Sequence, residues 1–110
     1  TNNANTWIRF NFKNKKINPS HYSIRSHTKS ALSNHLRTWV IEGSNDDNSW
    51  SILDSRSNDT SLNDYLACNT FNIQPQNQFY QYIRLRQTGK NNYNRDYLGI
   101  TSIEFFGRLI

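Results

Sequence analysis

Three histidines, one cysteine and one pair of adjacent aspartates are the residues of this chain best suited to chemistry. His21, His27 and His35 recur at steps of six and eight residues. Structural zinc sites use four ligands, usually in close Cys/His pairs, and these steps fit no such spacing. Cys68 is the lone cysteine, far from every histidine in sequence. A cysteine nucleophile needs a base within hydrogen-bond reach, and the plainer expectation for Cys68 is a small buried thiol. Asp46 and Asp47 sit in "NDDNS", where aspartate serves turn geometry. No phosphate-cradling glycine loop and no nucleophile elbow occurs. The expectation is a non-catalytic chain with no metal and no cofactor.

What positions these residues follows from pattern. The chain has 110 residues, enough for one core, with 35% hydrophobic and 14% aromatic content. Few but bulky apolar residues suit a compact all-β core with polar loops. No apolar run approaches the ~20 residues of a bilayer span. The net charge is +5 and the isoelectric point about 9.6. The Lys and Arg are spread along the chain, so the basic balance reads mainly as solvation, with acidic partners as its functional alternative. A single cysteine forms no internal disulfide. Asparagine clusters in "TNNANT", "NDDNS" and "KNNYNRDY", as expected of turns.

Apolar residues recur mostly at period two. In "WIRFNF", Ile8, Phe10 and Phe12 share a face and Arg9 and Asn11 oppose them. In "INPSHYSIRS", Tyr22 and Ile24 oppose Ser23 and Arg25, and Pro19 predicts a strand that starts after it or lies at an edge. "LRTWVIEGS" places Trp39 with Ile41. "WSILDSR" and "TFNI" are short strands, and Leu62 and Leu66 anchor the loop between them. In "FYQYIRLRQ", Phe79, Ile83 and Leu85 face one way and Tyr80, Tyr82, Arg84 and Arg86 the other. "LGITSIEFFGRLI" sets Ile103 and Phe105 against Glu104 and Phe106. Residues 26–37 form a polar loop with one helical turn at 30–33, and "TGKNNYNRDY" is a second long loop. Roughly seven short strands and no amphipathic helix predict a single domain over 1–110, an all-β sandwich or jelly roll.

The order of four segments resembles a known family. "WIRFNFKNKKINPSHYSIRS", "HLRTWVIEGSNDDNSW", "FYQYIRLRQTG" and "IEFFGRL" are similar to the coagulation-factor type C, or discoidin-like, domain. The resemblance covers Trp7 to Leu109. It is nearest to the subgroup appended to intracellular BTB, ankyrin-repeat and kinase-like proteins of protists. It implies the galactose-binding-like β-sandwich. Asn11 stands where the family often has Asp, Gln81 where Arg is common, and Asp47 where the turn glycine is usual. The family's N-terminal strand region is missing, so the resemblance predicts that the domain extends N-terminally.

In such domains, loops at one end of the sandwich hold the ligand. The resemblance therefore assigns a binding site to His27, Lys29, His35 and Arg37 of one loop and Lys90, Asn91, Tyr93 and Arg95 of another. The same loops read equally as plain solvated connections. The expected function is a protein–protein interaction or scaffolding module alongside other domains of a larger cytoplasmic, cytoskeleton-associated protein. One alternative is a carbohydrate-binding, lectin-like module, which would be extracellular. Another is attachment to an acidic surface such as tubulin tails or anionic lipid. Nucleic acid is disfavoured, because a Tyr/Arg stripe on a sheet is commonly cross-strand packing.

Overall fold

The computed structural model describes residues 7–26, 36–62, 68–91 and 100–110. Within them lie seven strands, β1 (Trp7–Asn11), β2 (Ile17–Ser26), β3 (Trp39–Ser44), β4 (Ser51–Arg56), β5 (Cys68–Asn72), β6 (Tyr82–Gln87) and β7 (Ile100–Leu109). They form two antiparallel sheets, one of order β1-β6-β3-β4 and one of order β5-β2-β7. The apolar alternation predicts both inner faces. Ile8 and Phe10 pair with Leu85 and Ile83 across β1 and β6, and Tyr22 and Ile24 pair with Phe105 and Ile103 across β2 and β7. Trp39, Ile41, Tyr22, Ile24, Ile83 and Leu85 are fully buried, and Leu36 and Leu62 cap the core from the loops. Burying each such side chain stabilises the fold by about 1.5–3 kcal/mol.

Polar groups also join the sheets. The buried Trp39 indole donates to the Tyr22 hydroxyl at 2.9 Å, and that hydroxyl donates to Asp54 Oδ2 at 2.5 Å. Burial, reinforced by the Asp54 carboxylate, pushes the Tyr22 hydroxyl far above its ordinary range. Arg56 completes the chain, donating to Asp54 at 2.9 Å and to the Asn72 carbonyl at 3.0 Å. Every member of this cluster is hydrogen-bonded, so it locks β2 of one sheet to β3 and β4 of the other.

Four expectations are corrected. Pro19 neither precedes its strand nor lies at an edge: β2 is the central strand of its sheet and Pro19 lies inside it. The β5 ladder spans only His21–Arg25, so no strand is paired with Pro19 on that side to need its donor, and a register shift against β7 follows it. Gly107 lies opposite, and a Cβ there would fall 2.2 Å from the Asn18 carbonyl oxygen. Tyr80 does not share the outward face of Tyr82, because β6 begins at Tyr82 and Tyr80 turns into the core. Phe79, expected on the inner face, is only half-buried and precedes the strand. Cys68 is exposed, not buried. Leu66 and the helical turn at 30–33 lie outside the described residues.

The "NDDNS" turn is built on Asn/Asp chemistry, as expected. Asp47 takes a left-handed φ of 59° in place of a glycine. Asp46 Oδ1 accepts from the backbone N–H groups of Asn48 at 2.9 Å and Ser49 at 2.7 Å.

Candidate functional site

The connections at one end of the sandwich converge on residues 36–38. The Arg37 carbonyl accepts from the Asp59 N–H at 2.8 Å, and the Thr38 carbonyl from the Thr88 N–H at 3.1 Å. The Thr38 hydroxyl accepts from the Asn58 N–H at 3.0 Å. The chain segments following β2, β4 and β6 are thus tied into one platform. The reason is local: Leu36 is buried as an anchor, so the backbone on its C-terminal side must satisfy its carbonyls through neighbouring loops.

Of the expected site residues, Arg37, Lys90 and Asn91 are described, and all three belong to this end. Arg37 is half-buried, and its Nε is buried with no hydrogen-bond partner among the described residues. Lys90 is exposed, whereas Asn91 is 2% exposed. The Gln87 amide donates to the Gly89 carbonyl at 2.9 Å and fixes the exit of β6 beneath them. His27, Lys29, His35, Tyr93 and Arg95 lie outside the described residues. Among the described residues no group of three His, Cys, Asp or Glu side chains could hold a metal. His21, the described histidine, is stacked on Phe106 with centroids 4.7 Å apart.

The arginine stripe of β6 is taken up within its own sheet. Glu42, directly opposite Arg84, accepts from Arg84 at 3.0 Å and from Arg86 at 3.0 and 3.1 Å. The Arg84 guanidinium also lies over the Trp50 ring at 4.1 Å and the Trp7 ring at 5.7 Å. Burial raises the Glu42 carboxyl, but hydrogen bonds from Arg86 and Arg84 and their charges outweigh it and hold it below the usual carboxylate range. The stripe is cross-strand packing, as its alternation implied.

A cleft lies elsewhere, and the sequence reasoning missed it. It measures about 460 Å³ and is lined by Asn18, Pro19, Ser20, Ile73, Pro75, Gln76, Gly107 and Arg108. A second cleft of about 300 Å³ shares Pro75 and Gln76 with it. Both lie toward the end of the sandwich opposite residues 36–38, where β2 begins and β7 finishes. Pro19 and Gly107, each unusual inside a strand, were the available sequence signal.

Comparison with known proteins agrees with this architecture. No family model matches the chain. In sequence, the chain is similar to the E3 ubiquitin-protein ligase Ufd4 of Drosophila melanogaster, 30% identical over 98 residues. That match spans 86% of this chain but only 4% of the length of that protein. In structure, it is similar to the SusE-like protein BT2857, with a TM-score of 0.76 at 14% identity over 96% of this chain and 48% of that one. A CBM32 module of AlyQ, solved in complex with 4,5-unsaturated mannuronic acid, gives 0.70 at 16% identity over 96% of this chain and 74% of that chain. CBM32-3 from a family 31 glycoside hydrolase of Clostridium perfringens gives 0.57 at 16% identity, over 94% and 76%. The fold is a discoidin-like, galactose-binding-like β-sandwich.

Proposed function

We propose that the domain is a non-catalytic carbohydrate-binding module that takes acidic, uronate-bearing glycans at the loop platform. The observation that carries this reading is the platform itself, where three connections are joined and the half-buried Arg37 sits among them. A guanidinium can grip a carboxylate in a fixed fork geometry. Lys90 is exposed and adds charge at the rim. The family resemblance assigns His27, Lys29, His35, Tyr93 and Arg95 to the same site. The net charge of +5 favours an acidic ligand. The likeness in fold to a module solved with an unsaturated mannuronic acid lends support to the ligand class.

Calorimetric titration with oligouronates, against neutral oligosaccharides of equal length, tests this. The expected result is saturable, salt-sensitive binding of the acidic oligomers only, weakened about tenfold or more in R37A and incompletely restored in R37K. Absence of binding to any glycan would overturn it.

The second reading is a protein-interaction module within a larger polypeptide, and the sequence similarity to a ubiquitin ligase favours it. Placement beside BTB, ankyrin-repeat or kinase-like neighbours, and a cytoplasmic site of action, belong to this reading. An extracellular site belongs to the glycan reading. A pull-down separates them: a discrete protein retained against free uronates would favour the second. Attachment to an acidic surface would instead bind tubulin tails or anionic vesicles with no preference among sugars.

A further inference from the structure

We propose that the cleft between residues 73–76 and the paired ends of β2 and β7 is a second binding site, for an extended peptide combining apolar and acidic side chains. The site does not depend on the glycan reading, and it lies at the other end of the molecule. Its volume of about 460 Å³ falls within the ordinary range for ligand sites.

The lining defines the ligand's chemistry. Pro19, Ile73 and Pro75 supply apolar walls. The two amide side chains are already bound: Asn18 donates to the Gln76 carbonyl at 2.9 Å, and Gln76 donates to Asn18 Oδ1 at 2.8 Å. Gln76 also donates to the Gln78 carbonyl at 3.0 Å and accepts from its N–H at 2.7 Å. Ser20 is engaged with the Phe106 carbonyl at 3.2 Å. These bonds hold the wall in a fixed shape before any ligand arrives, which favours binding. They also leave few polar groups for a polyhydroxylated sugar, so an apolar side chain fits the floor better.

The rim defines the charge. Arg108 is exposed, and its guanidinium lies 5.8 Å from the centroid of the Phe79 ring. A cation–π contact uses none of the guanidinium N–H groups as hydrogen-bond donors, so they are left for a carboxylate. Lys16 lies one step along the same strand face: Asn18 is opposite Arg108, and Lys16 exchanges backbone bonds with Ile110 at 3.0 and 3.1 Å. Lys13 and Lys15, both exposed, precede Lys16 in the β1–β2 turn. The ion pairs among the described residues are Arg9–Asp47, Arg56–Asp54, Arg84–Glu42 and Arg86–Glu42, and none includes these four cations. An apolar cleft rimmed by cations that no described acid neutralises is complementary to an acidic–apolar peptide.

Fluorescence anisotropy with a fluorescein-labelled peptide of alternating aspartate and leucine tests the site. The controls are a serine–leucine and an aspartate–serine peptide of equal length. Saturable binding of the first peptide is expected, with each control weaker by about tenfold or more. R108E and, independently, K16E should weaken it similarly, while K90E, at the opposite end, should leave it unchanged. Equal binding of the leucine-free peptide would reduce the site to a diffuse basic surface and overturn the proposal. Binding insensitive to both R108E and K16E, or lost in K90E, would also overturn it. Glycan titration of the same R108E protein distinguishes the two sites, because acidic-glycan binding should survive there.

Discussion

Replacing Glu42 by glutamine tests the electrostatic account of the four-stranded sheet. Glu42 is 4% exposed and takes hydrogen bonds from two arginines. E42Q keeps one acceptor oxygen, removes the charge, and turns an N–H₂ group toward a guanidinium. Removing one partner of a fully buried ion pair costs about 3–5 kcal/mol. Here the Arg84 and Arg86 side chains are 17% and 26% exposed, so water can partly rehydrate them. That scales the expected loss to about 2–3 kcal/mol. It is a large share of the roughly 5–15 kcal/mol that holds such a domain. In urea the midpoint should fall by about 1–2 M, at a slope typical of a small domain. The pH dependence carries the second half of the test. The folded-state carboxyl of Glu42 lies below its ordinary value of 4.5. Its contribution is therefore complete above that value and is lost as the pH falls through the lower, folded-state value. Wild type and E42Q should differ at neutral pH and converge on acidification. A loss under about 0.5 kcal/mol, the range of an ordinary surface substitution, or a difference constant across the acid range, would refute the reasoning.

Three further outcomes follow from named contacts. Y22F leaves the buried Trp39 indole N–H without its acceptor and should cost about 1–3 kcal/mol in chemical denaturation; an unchanged midpoint would contradict the inter-sheet lock. G43A sets a Cβ 2.6 Å from the Tyr80 ring and should cost about 1–3 kcal/mol by overpacking, unless that buried ring moves without penalty. D46A should lower the melting temperature at neutral pH. Hydrogen bonds from the Ser49 and Asn48 N–H groups hold the Asp46 carboxyl below its ordinary value of 3.8, so the gap to wild type should close in strong acid.

How far the sequence disclosed this molecule depends on the range of the interaction. Alternation such as Ile8–Phe10 or Tyr22–Ile24 is local, and it placed the inner faces of both sheets correctly. The turn at Asp46–Asp47 was legible for the same reason. The position of Pro19 was not, because proline fits inside a central strand where one neighbouring ladder stops short, and β5, whose pairing covers only His21–Arg25, is far along the chain. Glu42 of β3 is buried on the outer face of its sheet because Arg84 and Arg86 roof it. Period-two reasoning supplies no such roof. That the segments of Arg37 and of Lys90 and Asn91 share one end was implied only by the family resemblance; in the structure the Thr88–Thr38 bond joins the two connections. The cleft gathers three distant segments around Asn18, Gln76 and Arg108, and no pairwise spacing announces it.

The glycan account is tested most directly by following backbone amide shifts of the isotope-labelled domain during titration with an oligouronate. The account predicts saturable shifts at Arg37, Thr38, Asp59, Lys90 and Asn91, the residues of the joined loops, with Gln76 and Gly107 unmoved. Shifts confined to Gln76, Gly107 and Arg108, or no shifts at saturating oligouronate, would contradict it.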